Sequence, residues 1–161
     1  MQTGLDFYKN LIVDSYYFMN LAINLAKIAY IKNEVPVGAI VVKNQIVIGQ
    51  GFNKVISKNS ITCHAEILAI NQASDVLGNY RLVDCDLYVT LEPCHMCAKA
   101  MVDARIKNLY FGASEPKTGS IISVDNFLDK KFINHHVNYE HGILAEESSQ
   151  LLKSFFASKR N

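Results

Sequence analysis

The chain has 161 residues, 50% of them apolar and 19% charged, with a formal net charge of +1 at pH 7. That balance is too apolar for a disordered chain and too neutral to argue by itself for a polyanionic partner. No run approaches the roughly 18 apolar residues of a membrane span, and the opening MQTGLDFYKN has no basic segment feeding an apolar one, so no anchor and no secretory leader are expected and a cytoplasmic location follows.

Along residues 17–30, Phe18, Leu21, Ala22, Leu25, Ala26 and Ala29 recur three and four apart, the spacing of one apolar helix face. Pro36 ends that segment, and the nearly continuous β-branched run 37–42 reads as a buried strand. Asn44-Gln45 turns the chain into a second strand over 46–52, making a hairpin. The polar 54–60 reads as a loop, 63–77 as a second helix closed by Gly78-Asn79, and 85–90 as a third strand. Pro93 opens a third helix reaching 103, since its missing N–H has no helical partner in a first turn. A fourth strand ends over 109–112, 113–123 is loop, 124–132 holds a short helix and 137–139 a last strand. The final helix, 144–158, is acidic at its start (Glu146, Glu147) and basic beyond its end (Lys159, Arg160), as the helix dipole favours. Strands alternating with helices in the middle imply a right-handed crossover and an α/β layered fold, in a single domain over 1–161.

Cys63, Cys85, Cys94 and Cys97 are too few for a disulfide scaffold and suit a reducing compartment. Cys94 and Cys97, in TLEPCHMC, stand three apart at a helix mouth, where sulfurs can converge and first-turn N–H groups favour thiolate. His64, in TCHAEI, lies at the mouth of the preceding helix, and one strand with its crossover can bring it alongside. One nitrogen and two thiolates are the usual protein complement of a catalytic zinc that keeps a position for water. Glu66 is close but is not needed as a ligand, and its natural work is proton transfer. H-x-E at 64–66 with P-C-x-x-C at 93–97 is the known signature of zinc nucleobase deaminases. Two other readings stay open on these residues. One is a dithiol redox pair, disfavoured by the preceding Glu-Pro and the upstream histidine. The other is a zinc-stabilised interaction module, which needs a fourth protein ligand. Cys63 reads as packing, Cys85 as core, His95 as facing away from the metal, at the pocket rim or bonded to a neighbour, and His135, His136 and His141 as surface or part of a substrate surface.

The wider sequence resembles the bacterial tRNA-specific adenosine deaminases of the cytidine/deoxycytidylate deaminase superfamily. The resemblance runs in order through EVPVGAIVV (34–42), GFN (51–53), HAEILAI (64–70), NYRLVDCDLYVTLEPCHMCAKAMV (79–102), FGA and KTG (111–119), and GILAEE and LLKSFF (142–156). It implies a three-layer cytidine-deaminase-like fold, a central mixed five-stranded sheet flanked by helices. It implies one Zn2+ per chain on His64, Cys94 and Cys97, with Glu66 as catalytic proton shuttle. The base pocket would be shaped by Asn53, Val35, Pro36, Gly38 and Ala65. The implied substrate is the wobble adenosine, position 34, of an arginine tRNA anticodon, converted to inosine by a homodimer. Lys117, Thr118, Lys159 and Arg160 would meet the RNA, with Lys54 and Lys58 in the same basic rim. The chain departs from the family where R-D-x-K-T-G becomes Ser114-Glu115-Pro116-Lys117-Thr118-Gly119, at His95, and in residues 1–15 ahead of the usual first helix. The same zinc set would also serve a deaminase of a free base or nucleotide such as guanine, cytosine or deoxycytidylate; the K-T-G loop and the basic tail favour RNA.

Overall fold

The computed structural model describes the backbone of residues 4–160 and the side chains of residues 15–160. In chain order the elements are α1 (Gly4–Ile31), β1 (Gly38–Lys43), β2 (Ile46–Phe52), α2 (Val55–Lys58), α3 (Ala65–Leu77), β3 (Asp86–Leu91), α4 (His95–Asp103), β4 (Asn108–Ala113), a 3-10 turn at Phe127–Asp129, β5 (Asn138–His141) and α5 (Ala145–Lys159). Among the described residues the strands form one mixed sheet in the order β2-β1-β3-β4-β5. β1 pairs antiparallel with both β2 and β3, while β3, β4 and β5 run parallel. This is the mixed five-stranded, helix-flanked sheet that the sequence implied.

Strand alternation sorts the core into two layers. Val41, Leu87, Val89, Leu109 and Phe111 point to one face, where they pack with Ala65 and Ala69 of α3 and Met101 of α4. Ile40, Val42 and Tyr88 point to the other, against Phe18, Met19 and Ala22 of α1. There Tyr88 stacks on Tyr110 with ring centroids 4.6 Å apart. α5 joins this second layer: Phe155 meets Tyr30 edge-on, and the buried Ser148 hydroxyl donates to the Thr90 carbonyl at 2.6 Å.

Several boundaries differ from the sequence reading. α1 starts at Gly4, not at 17, because no proline or glycine interrupts 5–35 and the helix takes in the segment expected to precede it. The 54–60 loop contains the single turn α2. α3 and α4 begin at Ala65 and His95, not at 63 and 93, because His64 and Cys94 hold extended backbone (φ −72°, ψ 152° and φ −77°, ψ 174°). Pro93 therefore precedes the helix and is not part of its first turn. Strand β3 is displaced by one residue toward the C-terminus, and β5 covers 138–141.

β2 runs directly beneath α3. A Cβ on Gly49 would stand 2.2 Å from the carbonyl oxygen of Ala69, and one on Gly51 2.6 Å from that of Ala65. Backbone fills this space, so it cannot yield as a flexible side chain would. Gly51→Ala must lift the first turn of α3, the turn that carries Glu66. An overpacking cost of about 1–3 kcal/mol is expected, seen as a lower urea midpoint; a midpoint equal to that of the natural chain would show that this contact is loose.

Candidate active site

His64 occupies the N-cap position of α3 and Cys94 that of α4, so both leave the extended residue just before a helix. Their carbonyls accept the first helical bonds, from Leu68 at 3.1 Å and from Ala98 at 2.9 Å. Cys97 lies in the first turn of α4 and is fully buried. His64 Nδ1 is 3.7 Å from Cys94 Sγ and 3.5 Å from Cys97 Sγ, and the three donor atoms all fall within 4.8 Å of one another. Tetrahedral bonds of about 2.0–2.3 Å place donors about 3.5–3.8 Å apart. The two separations from the histidine suit a tetrahedral metal ion, and His64 and Cys94 border the cleft.

Hydrogen bonds link the three donors. The Cys94 thiol is pulled down to about 4, first by its bond with Cys97 and, against burial, by the His64 ring. That same bond to Cys94, together with burial, pushes Cys97 up. His64 is raised by its bond to Cys94. Metal binding to such donors competes with protons, since thiolate and neutral imidazole are the ligand forms.

Glu66, in the first turn of α3, is 4% exposed, and its Oε2 lies 4.0 Å from His64 Nδ1. Burial pushes its carboxyl above the ordinary glutamate value, opposed by a bond from Cys97 and by the nearby imidazole. A buried carboxyl beside a donor set that could hold a metal ion is placed to take a proton and return it.

An open cleft of about 590 Å³, its mouth included, lies over these groups. Asn53, Val35, Ala65 and Thr118, all expected at the substrate, line it. Leu91 and Glu92 line it as well and were not anticipated. Pro36 and Gly38 do not belong to the lining: alternation turns Val35 and Val37 toward the cleft, and Gly38 lies beneath α1, where a Cβ would meet the Ala22 carbonyl oxygen at 2.0 Å. Gly38 is thus a packing glycine on the opposite face of the sheet. Lys117 is exposed beside the lining residue Thr118. Lys159 and Arg160 are exposed at the end of α5, away from the lining, and Lys159 Nζ donates to Asn33 Oδ1 at 3.3 Å, two residues before Val35. Lys54 stands 4.7 Å from the centre of the Phe52 ring, and Lys58 is exposed at the end of α2. His95 turns away from the cluster and meets Asp125 Oδ2 at 2.9 Å. Cys85 is core, and Cys63 is half-buried outside the cluster.

Two buried carboxylates hold the walls. Glu34, 1% exposed, accepts the N–H groups of Ile56 at 3.1 Å and Ser57 at 2.6 Å, fixing α2 just beyond Asn53. Glu92 does the same for the loop on the other side. Neither was singled out from the sequence, because their partners lie more than twenty residues away and are backbone amides, with one hydroxyl, Ser123, on Glu92.

A family model described as MafB19-like deaminase matches residues 13–160. The tRNA-specific adenosine deaminase of Rickettsia bellii is 43% identical over 145 residues, covering 89% of this chain and all of that relative. That of Aquifex aeolicus is 46% identical over 145 residues, covering 90% of this chain and 95% of the relative. The chain belongs to the bacterial tRNA-specific adenosine deaminase family. Within this family, a solved structure from work on A-to-I editing by tRNA:A34 deaminases at the wobble position superposes with a TM-score of 0.83 at 42% identity, over 84% of this chain and 99% of that one. The guanine deaminase of Nitrosomonas europaea superposes with a TM-score of 0.77 at 21% identity, over 88% of this chain and 84% of that one, and shares the fold alone.

Proposed function

We propose that this chain hydrolyses the wobble adenosine, position 34, of an arginine tRNA anticodon to inosine, with one zinc per chain on His64, Cys94 and Cys97. The carrying observation is the buried Glu66 carboxyl beside a three-donor cluster, with His64, Glu66 and Cys94 all lining one cleft. Family membership supplies the substrate class, since relatives covered over most of their length carry the name tRNA-specific adenosine deaminase.

Zinc bound there supplies a Lewis acid that makes water a competent nucleophile at neutral pH. The rest is done by the chain. Asn53 and the backbone around Ala65 hold the base edge, and Val35 and Val37 flank the ring. Glu66 takes the proton of the attacking water and passes it to N1 of the purine, which makes C6 electrophilic. It then relays a proton to the departing amino group. Adenosine and water give inosine and ammonia, and Glu66 ends in the state in which it began. A loop nucleotide costs least to extrude for such chemistry. Thr118 and Glu115 stand on the wall where the neighbouring nucleotides pass, and Lys54, Lys58, Lys117, Lys159 and Arg160 form the basic rim. The working assembly is a homodimer in the cytoplasm, checked by a light-scattering mass of two chains rather than one. Among the described residues no helix is long and apolar enough to cross a membrane.

The test is inosine at position 34 of an unmodified arginine tRNA, scored beside free adenosine, cytidine and guanine. Efficient conversion on tRNA with free adenosine nearly untouched is expected. Binding should also weaken as salt rises, with a log–log slope of about 0.7 per phosphate contact on single-stranded RNA. Turnover of a free base or nucleoside with tRNA unmodified would overturn the proposal.

A further inference from the structure

Glu92 follows β3 directly and precedes Pro93 and Cys94 in sequence. It is 3% exposed, and among the described residues no cation pairs with it. Its charge is met by amides instead. One oxygen accepts the N–H groups of Ile121, Ile122 and Ser123 at 3.0, 2.9 and 3.0 Å. The other accepts the Glu115 N–H at 3.0 Å and the Ser123 hydroxyl. Gly119 closes over the group, where a Cβ would stand 2.3 Å from the carboxylate carbon. The loop answers with Ser120, whose N–H and hydroxyl both donate to the Pro93 carbonyl at 2.9 Å. Between these anchors the loop places Glu115 and Thr118 in the cleft wall.

We propose that Glu92 is a positioning residue for the deamination: its buried carboxylate pins the 115–123 loop at the cleft and joins it to the turn that carries Cys94, so that the substrate-facing wall and the metal ligand keep one geometry. This rests on reading the cleft as the deaminase base site. Only an ionised carboxylate can serve, because every partner is a donor. A glutamine in its place presents an NH2 to N–H groups whichever way it is flipped, leaving buried donors without an acceptor. The glycine of the K-T-G run gains a physical reason from the same contact: it is the residue over the carboxylate, where no side chain fits.

Glu92→Gln and Gly119→Ala attack this contact from its two sides. Hydrogen exchange read by mass spectrometry should show peptides over 115–123 exchanging about 10-fold faster or more in both variants, with β3 and β4 peptides unchanged. Metal content should equal that of the natural chain. KM for an anticodon stem-loop RNA should rise about 10-fold, with a smaller fall in kcat, because wall contacts are lost while Glu66 and the metal remain. If Glu92→Gln does not fold, Ser123→Ala removes one donor, leaves the amide contacts in place and should show the same pattern at smaller size. Unchanged exchange over 115–123 in the folded variants, or a fall in kcat at constant KM, overturns the proposal. A natural chain inactive on RNA but with 115–123 released in the variants would remove the functional reading while upholding the clasp; protection of 115–123 unaltered by the variants would remove the clasp whatever the substrate.

Discussion

Glu66→Ala is expected to lower turnover by about 10²–10⁴-fold, the usual contribution of a positioned proton-transfer group, while the chain keeps its fold and its metal. The factor corresponds to about 3–5 kcal/mol of barrier. Glu66 is not one of the three convergent donors, so its loss leaves the nitrogen and both sulfurs in place. It is nevertheless buried, and alanine leaves a hole beside His64. Glu66→Gln separates the two effects, since the amide fills the same space but cannot carry the proton. Both variants should therefore be equally slow in single-turnover assays on substrate RNA and bind metal stoichiometrically. If glutamine restores turnover to near the natural rate, Glu66 is a packing or orienting residue and the proton must travel by another route. Loss of metal in the glutamine variant would instead make the carboxylate a ligand.

The parts of this site that were legible in the sequence share a property: each is fixed by atom type within a short window. Two sulfurs three residues apart at a helix mouth, and an imidazole two residues before a carboxyl, can be read without knowing the fold. The sheet was legible for a similar reason, since 37–42 and 85–90 are buried on both faces and 46–52 follows a turn. What escaped is held by backbone. The partners of Glu34 are amide N–H groups of α2, and those of Glu92 are amide N–H groups of 115–123 and one distant hydroxyl, Ser123; any sequence supplies an N–H. Gly38 was expected at the pocket from the family resemblance, but one step along a strand reverses the face, and the contact that demands glycine is with α1. The displaced starts of α3 and α4 have a functional consequence. By standing in extended backbone just outside the helices, His64 and Cys94 turn their donors toward the same point, and that extended residue is invisible in an apolar periodicity. The exposed cations of the rim are the least legible group, because long solvated side chains leave no trace in patterning.

Cys97→Ala is expected to abolish stoichiometric metal binding, and with it all turnover. Two protein donors remain where a catalytic site commonly has three. The lost donor is also the buried one, held in the first turn of α4 within 3.5 Å of His64 Nδ1. The fold should persist, because the two-sided core is built from the sheet and the helix faces and not from the cluster. Circular dichroism unchanged beside elemental analysis near zero is the expected pair of results. The acid–base state of the cluster gives the same experiment a second readout in the natural chain. Cys97 is pushed up and His64 is raised, whereas Cys94, at about 4, is already ionised at neutral pH. Metal needs both thiolates and a neutral ring, so uptake near pH 7 should release about one to two protons. The sign is fixed: metal uptake displaces protons from the donors, so affinity falls as pH falls and rises as pH rises. Calorimetric titration in buffers of different ionisation enthalpy counts the protons directly. Full metal content in Cys97→Ala, or an affinity that does not change between pH 6 and 8, would remove Cys97 from the ligand set and leave the cluster without its third donor.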